Sequence, residues 1–279
     1  MTFDLASGPS HTGIYRCAVK WKDSFALSED GSEVPVRVYE PEAMEDSTLV
    51  WAHGGSWTRG SISDWHGACM ALASMGNTRI TSVDYRLAPE WPHPAAVLDV
   101  VAAALWAKNT FGKQVFLGGD SSGGSLAAGA ALWFRDHQIQ LGGQLLAYPP
   151  LDPACKAPSY AQPDQPFPRQ SMLVEAWRAY AGTREGSSIL RCEYLDPLHA
   201  RDLRGMCPTA MLVGHSDPVR DDVLSFARQL TEAKVPVAVC DDPGVFHGQF
   251  LSYSTLRQNP VHEWVHQSLY RLAQTAARS

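Results

Sequence analysis

The chain has 279 residues, 45% of them hydrophobic and 19% charged, which is enough apolar material for a sizeable core. A net charge of −6 with no run of Lys or Arg leaves no basic footprint for nucleic acid or for an anionic membrane surface. The long apolar stretch from Ala95 to Ala107 is interrupted by Asp99 and is too short to cross a bilayer.

The opening residues, Met1-Thr-Phe-Asp-Leu, lack a basic segment followed by an apolar one, so a cytoplasmic location is expected. Six cysteines are scattered without a CxxC pair, which predicts reduced thiols rather than disulfides; metal-ligand spacing is missing, so no metal is expected. From about residue 34 onward strand-like and helix-like segments alternate. Val34–Tyr39 and Thr48–Ala52 read as strands, the second ending in the glycine turn His53-Gly54-Gly55. A helix over Asp64–Met75, a strand from Arg79 to Val83 and an alanine-rich helix over Pro94–Lys108 follow, the last with apolar residues at helical spacing. Gln114–Gly118 is a strand and Ser122–Asp136 a helix. Three further strands are predicted at Leu145–Tyr148, Ala210–Val213 and Val235–Val239, with helices at Val219–Ala233 and Val261–Ala277.

This alternation predicts an α/β chain, a mostly parallel sheet with helices on both faces, in which the loops at the carboxyl ends of the strands build the site. One stretch breaks the rhythm. Residues 153–170 hold Pro153, Pro158, Pro163, Pro166 and Pro168 and lead into a helical segment from Ser171 to Ala181. A long excursion between two core strands reads as a lid or binding loop.

Gly119-Asp120-Ser121-Ser122-Gly123 sits between a predicted strand and a predicted helix. In that setting the GxSxG pattern makes a sharp turn that exposes the serine above the sheet, and the flanking glycines remove Cβ atoms that would clash. The helix N-terminus behind Ser121 supplies N–H groups where an oxyanion would develop. A dinucleotide turn needs GxGxxG and a P-loop needs GK[ST]; neither is present.

Of the ten histidines, His247 lies just past a late strand and before the last helix, where a base could meet Ser121. Asp217 follows the strand Ala210–Val213, and the chain order Ser…Asp…His is the one α/β-hydrolases use. Such an acid accepts the Nδ1–H of the histidine and stabilises the imidazolium formed on attack. Asp221 and Asp222 suit the first turn of the next helix instead. At the early glycine turn, the N–H groups of Gly54 and Gly55 would join that of Ser122 in a three-donor oxyanion hole.

With these elements together the chain resembles the hormone-sensitive-lipase-like branch of the α/β-hydrolases, which includes bacterial esterases. The residues that carry the resemblance are His53-Gly54-Gly55, Val83-Asp84-Tyr85-Arg86-Leu87-Ala88-Pro89-Glu90, Gly119-Asp-Ser-Ser-Gly-Gly124, Tyr148-Pro-Pro-Leu-Asp-Pro153, Asp217-Pro-Val-Arg-Asp-Asp222 and His247-Gly248. It implies the α/β-hydrolase fold over the whole chain as one domain, the triad Ser121/Asp217/His247, no cofactor, and hydrolysis of short to medium acyl esters. It also implies that Asp84, Arg86 and Glu90 are structural. Ser56 stands where the family usually has a third glycine, as bulkier residues do in related arylformamidases. The segment before the first matching strand is short, so a reduced cap is expected, built from residues 1–30 and 153–185.

The resulting expectation is a serine carboxylesterase that works through an acyl-enzyme intermediate on a small-molecule ester, with no nucleic-acid or membrane partner and with a homodimer left open. An amidase, arylformamidase or lactonase would use the same residues. A ligand-binding receptor on a hydrolase scaffold is the alternative from another class; such proteins often lack the histidine, and His247 is present.

Overall fold

The computed structural model describes residues 17–42, 47–75, 78–112, 114–161, 167–183, 194–252 and 259–276. In chain order its elements are β1 (Val19–Leu27), β2 (Glu33–Pro41), β3 (Ser47–Ala52), α1 (His66–Met75), β4 (Arg79–Val83), α2 (Ala95–Phe111), β5 (Gln114–Asp120), α3 (Ser122–Asp136), β6 (Gly143–Ala147), α4 (Gln170–Ala181), β7 (Thr209–Gly214), α5 (Arg220–Glu232), β8 (Val237–Asp242) and α6 (Pro260–Ala276). The strands form one sheet in the order β1-β2-β4-β3-β5-β6-β7-β8. Pairing is parallel from β4 through β8, and antiparallel where β2 meets β1 and β4.

The central strands β3, β6 and β7 are buried at every position. That is the signature of parallel strands covered on both faces, and it explains why they read as short unbroken apolar runs. Helices α2 and α3 are rich in Ala and Gly, so they lie close to their neighbours; at Gly129 a Cβ would strike the Tyr194 carbonyl. Asp99, the charge that interrupts the apolar stretch of α2, is fully buried and held by the Arg86 guanidinium, with Nη2 2.7 Å and Nε 2.9 Å from its oxygens. Arg86 therefore braces α2 against the loop after β4. Asp84 accepts the Ile62 N–H at 3.0 Å, again a bracing contact.

The chain crosses from β3 to β4 on one side and then to β5 on the other. The carboxyl ends of β3 and β5 thus lie side by side where the strand order reverses, with Ala52 opposite Gly119. Crevices at such reversals are the ligand sites of open α/β sheets.

Of residues 1–30, expected to hold cap elements, the part from 19 to 27 lies in the sheet instead. Residues 19–27 form the edge strand β1, paired residue by residue with β2 from Val19–Pro41 to Leu27–Glu33. Only Ala26 in β1 is buried, so the strand is held by backbone pairing and by the Asp23–Arg37 fork (2.6 and 2.9 Å) rather than by an apolar face. Residues 1–16 lie outside the described residues. Of the stretch 153–185, the described part holds a short turn at Pro158–Ala161 and helix α4. Trp177 and Tyr180 of α4 pack on Trp57, with ring centroids 4.1 and 5.1 Å away.

Candidate active site

Ser121 links β5 to α3 with φ 52° and ψ −126°, a conformation costly for any residue with a side chain. The tightness of the turn explains it. A Cβ on Gly119 would collide with the backbone of Gly123, and one on Gly123 with the carbonyls of Ala52 and His53. The Ser121 N–H donates to the Ala147 carbonyl at the end of β6 (2.9 Å), which fixes the turn to the neighbouring strand.

Ser121 Oγ lies 2.8 Å from His247 Nε2. On the far side of the ring, His247 Nδ1 lies 3.0 and 3.1 Å from the two oxygens of Asp217. A carboxylate only accepts, so Nδ1 carries the proton and the Nε2 lone pair faces the serine. Asp217 Oδ1 also accepts the Val219 N–H (3.1 Å), which holds the carboxylate at the head of α5. His247 and Asp217 are buried, and Ser121 is 9% exposed. The three residues, separated by up to 126 positions, are thus brought into one hydrogen-bonded line.

His53, His215 and His262, and the acids Asp241 and Asp242, do not join that line. His53 is buried; its Nδ1 donates to the Gly54 carbonyl (2.7 Å) and its ring stacks on Tyr85 at 4.2 Å. Burial pushes its pKa down, so it acts as a neutral brace for the glycine turn. His215 faces Asp241 at 3.4 Å on the surface, and His262 donates to the Phe250 carbonyl at 2.9 Å. Asp241 is taken by Arg220 (2.5 and 2.8 Å), and Asp242 accepts the Gly244 N–H at 2.7 Å.

The glycine turn after β3 stands directly beside the serine. A Cβ on Gly54 would fall 2.7 Å from Asp120 Oδ2 and 3.4 Å from Ser121 Cβ. Gly55 has φ +113°, and Ser56 and Trp57 follow at φ 57° and 59°, so the chain coils left-handed through three successive residues. Ser56 therefore occupies a backbone region that glycine enters more easily. Among the described residues no hydrogen bond takes up the N–H groups of Gly54 or Gly55, and Ser122, as the first residue of α3, has no acceptor within the helix. Three unengaged donors thus stand beside Ser121.

Several residues around the line have partners that local spacing does not reveal. Asp120 is buried, and one of its oxygens receives both the Trp51 and the Trp65 indole N–H groups, at 3.1 and 2.9 Å. Burial pushes its carboxyl up to about 6 against those two bonds. Tyr148 lays its ring against His247, centroids 4.8 Å apart, and Phe167 of the proline-rich stretch approaches the same imidazole edge-on at 6.0 Å. Asp222 lies in the first turn of α5, as expected, and is also buried and turned toward residues 151–160. Among the described residues no group of three His, Cys, Asp or Glu is placed to hold a metal ion.

A family model described as alpha/beta hydrolase fold matches residues 49–251. Among curated proteins, a carboxylesterase of Mycobacterium tuberculosis, NlhH, is 32% identical over 233 residues, covering 78% of this chain and 71% of that protein. An ethyl acetate hydrolase of Pseudomonas putida is 30% identical over 243 residues, covering 81% and 74%. Among solved structures, a bacterial heroin esterase superposes with a TM-score of 0.81 at 28% identity, covering 97% of this chain and 87% of that one. An esterase of the archaeon Pyrobaculum calidifontis gives a TM-score of 0.80 at 27% identity, covering 92% and 86%.

Proposed function

The chain belongs to the α/β-hydrolase fold family, in its hormone-sensitive-lipase-like branch, and from that premise we propose that Ser121, His247 and Asp217 are the catalytic triad of this carboxylesterase. The observation that carries the proposal is the arrangement of the imidazole, Nε2 at 2.8 Å from Ser121 Oγ and Nδ1 at 3.0 Å from Asp217. In this reading Ser121 Oγ attacks the ester carbonyl carbon while its proton passes to His247 Nε2. The carbonyl π electrons move onto oxygen, and the N–H groups of Gly54, Gly55 and Ser122 receive the oxyanion. Collapse re-forms the carbonyl and breaks the bond to the alcohol oxygen, which leaves with the proton from Nε2. Water then repeats the sequence on the acyl-serine, giving the carboxylic acid and free Ser121. Asp217 holds the ring in its productive tautomer and balances the imidazolium.

The same reading takes residues 1–279 as one hydrolase domain, with a small cap drawn from the stretch 153–185. Phe167 and α4 support the cap, since the first reaches His247 and the second rests on Trp57. A cover this small suits short to medium acyl esters. A cytoplasmic setting suits the five free cysteines among the described residues, and no helix there is long and apolar enough to cross a membrane.

A fluorophosphonate probe tests the assignment. It should label wild-type protein once per chain and abolish ester hydrolysis, and Ser121→Ala should be neither labelled nor active. Labelling retained in Ser121→Ala and lost in Ser122→Ala would overturn it.

A further inference from the structure

The step from Ala147 to Tyr148, at the carboxyl end of β6, touches every arm of the site. The Ala147 carbonyl accepts the Ser121 N–H, and the Tyr148 N–H donates to the Leu212 carbonyl of β7 (2.6 Å), the strand that leads to Asp217. The Tyr148 ring lies against the His247 imidazole with planes 46° apart, and its hydroxyl accepts the Phe250 N–H at 2.9 Å, closing the turn that carries His247. Phe250 in turn stacks on Trp51 (4.6 Å, 17°), whose indole N–H donates to Asp120 beside the nucleophile. Contacts therefore run in a closed circuit from Ser121 through Asp120, Trp51, Phe250, Tyr148 and His247 back to Ser121. Tyr148 is fully buried and has φ 39°. A bulky residue with positive φ is rare, and it persists where its surroundings over-determine it, as they do at functional sites.

We propose that Tyr148 is a positioning residue for His247, its hydroxyl holding the histidine turn and its ring the imidazole, in register with Ser121. The proposal rests on the triad reading given above. Its particular claim is that a phenol hydroxyl making no contact with Ser121 or Asp217 sets how well Nε2 is aimed.

The test is Tyr148→Phe, which keeps the ring and removes the acceptor of the Phe250 N–H. Steady-state kinetics on p-nitrophenyl acetate are corrected for active sites by fluorophosphonate titration, so partly folded material does not count. The expected result is a kcat about tenfold lower with KM within about twofold, and a second-order rate of fluorophosphonate labelling that falls in parallel, since aim rather than binding is impaired. Phe134→Leu, which disturbs a buried aromatic near the far end of α3 and outside this circuit, serves as the control and should keep kcat within about threefold of wild type. A corrected kcat for Tyr148→Phe within twofold of wild type overturns the proposal. So does a Phe134→Leu loss as large as that of Tyr148→Phe, because any disturbance of the core would then suffice. Activity surviving in Ser121→Ala would sink the triad reading itself; a dead Ser121→Ala beside an unimpaired Tyr148→Phe would sink only this inference.

Discussion

The hydroxyl of Tyr160 donates to Asp222 Oδ2 at 2.7 Å, tying the proline-rich excursion after β6 to the helix that begins beside Asp217. The same oxygen accepts the N–H groups of Leu151 and Asp152, at 2.9 and 3.0 Å, while Oδ1 finds no partner among the described residues. One buried carboxyl group thereby anchors the root of the proline-rich stretch to the core.

Burial pushes the Asp222 carboxyl up to about 7, against the three donors that favour its charge and with the nearby Asp152 carboxylate adding to the rise. The sign follows from linkage. The unfolded chain releases this proton near the ordinary value of 3.8, so the group's contribution is fully present below that pH and is lost as pH rises through about 7. Asp222→Asn is neutral throughout and should be most harmful relative to wild type at pH 5 and least at pH 8, the gap narrowing by about 2–3 kcal/mol. Urea midpoints of both proteins at pH 5, 6, 7 and 8 measure it. A difference that stays constant across the series contradicts the raised carboxyl.

Replacing Asp217 by Asn should lower kcat at least about a hundredfold, because the amide favours the wrong imidazole tautomer; the chymotrypsin precedent for this change is ~10⁴. Asp241→Asn and Asp242→Asn should lose less than about tenfold, since Asp241 is engaged by Arg220 and Asp242 by the Gly244 N–H. The three folded variants are compared on one p-nitrophenyl ester. A crippled Asp241 or Asp242 variant beside an active Asp217→Asn reverses the assignment.

Gly54→Ala places a methyl group 2.7 Å from Asp120 Oδ2, an atom held in a buried carboxylate that is pinned by two indoles. The turn must shift, and the Gly54 and Gly55 donors with it. Loss of one such donor costs about 10²–10³ in kcat, and a comparable fall is expected here with KM little changed. If kcat stays within threefold of wild type, these N–H groups do not hold the oxyanion.

Much of this was legible in the linear sequence. Helix α3 follows its predicted limits, and β5 runs two residues beyond its own, because Gly119 and Gly123 let the turn be confined to Ser121. Strand β8 starts at Val237 rather than Val235, since Pro236 has no N–H for the ladder; only its carbonyl pairs, accepting from Thr209. The edge strand β1 escaped notice because its side chains mostly face solvent, including Trp21, Phe25 and Leu27, so no buried alternation marks it. The contacts of Asp120, Tyr148 and Asp222 escaped for another reason. Their roles depend on partners 55 to 102 positions away, and no local spacing encodes where Trp65, Phe250 or Leu151 will meet them.

The site is assembled from the ends of β3, β5, β6, β7 and β8, and each parallel pairing between them waits on a crossover through intervening chain. Helices such as α2 and α3 form from neighbours in sequence, whereas Ser121 meets His247 only after the ladder has closed across the sheet. During refolding from denaturant, ester hydrolysis will therefore be the last signal to return, trailing the recovery of helical circular dichroism. The enzyme's own turnover is a clock for completion of its sheet.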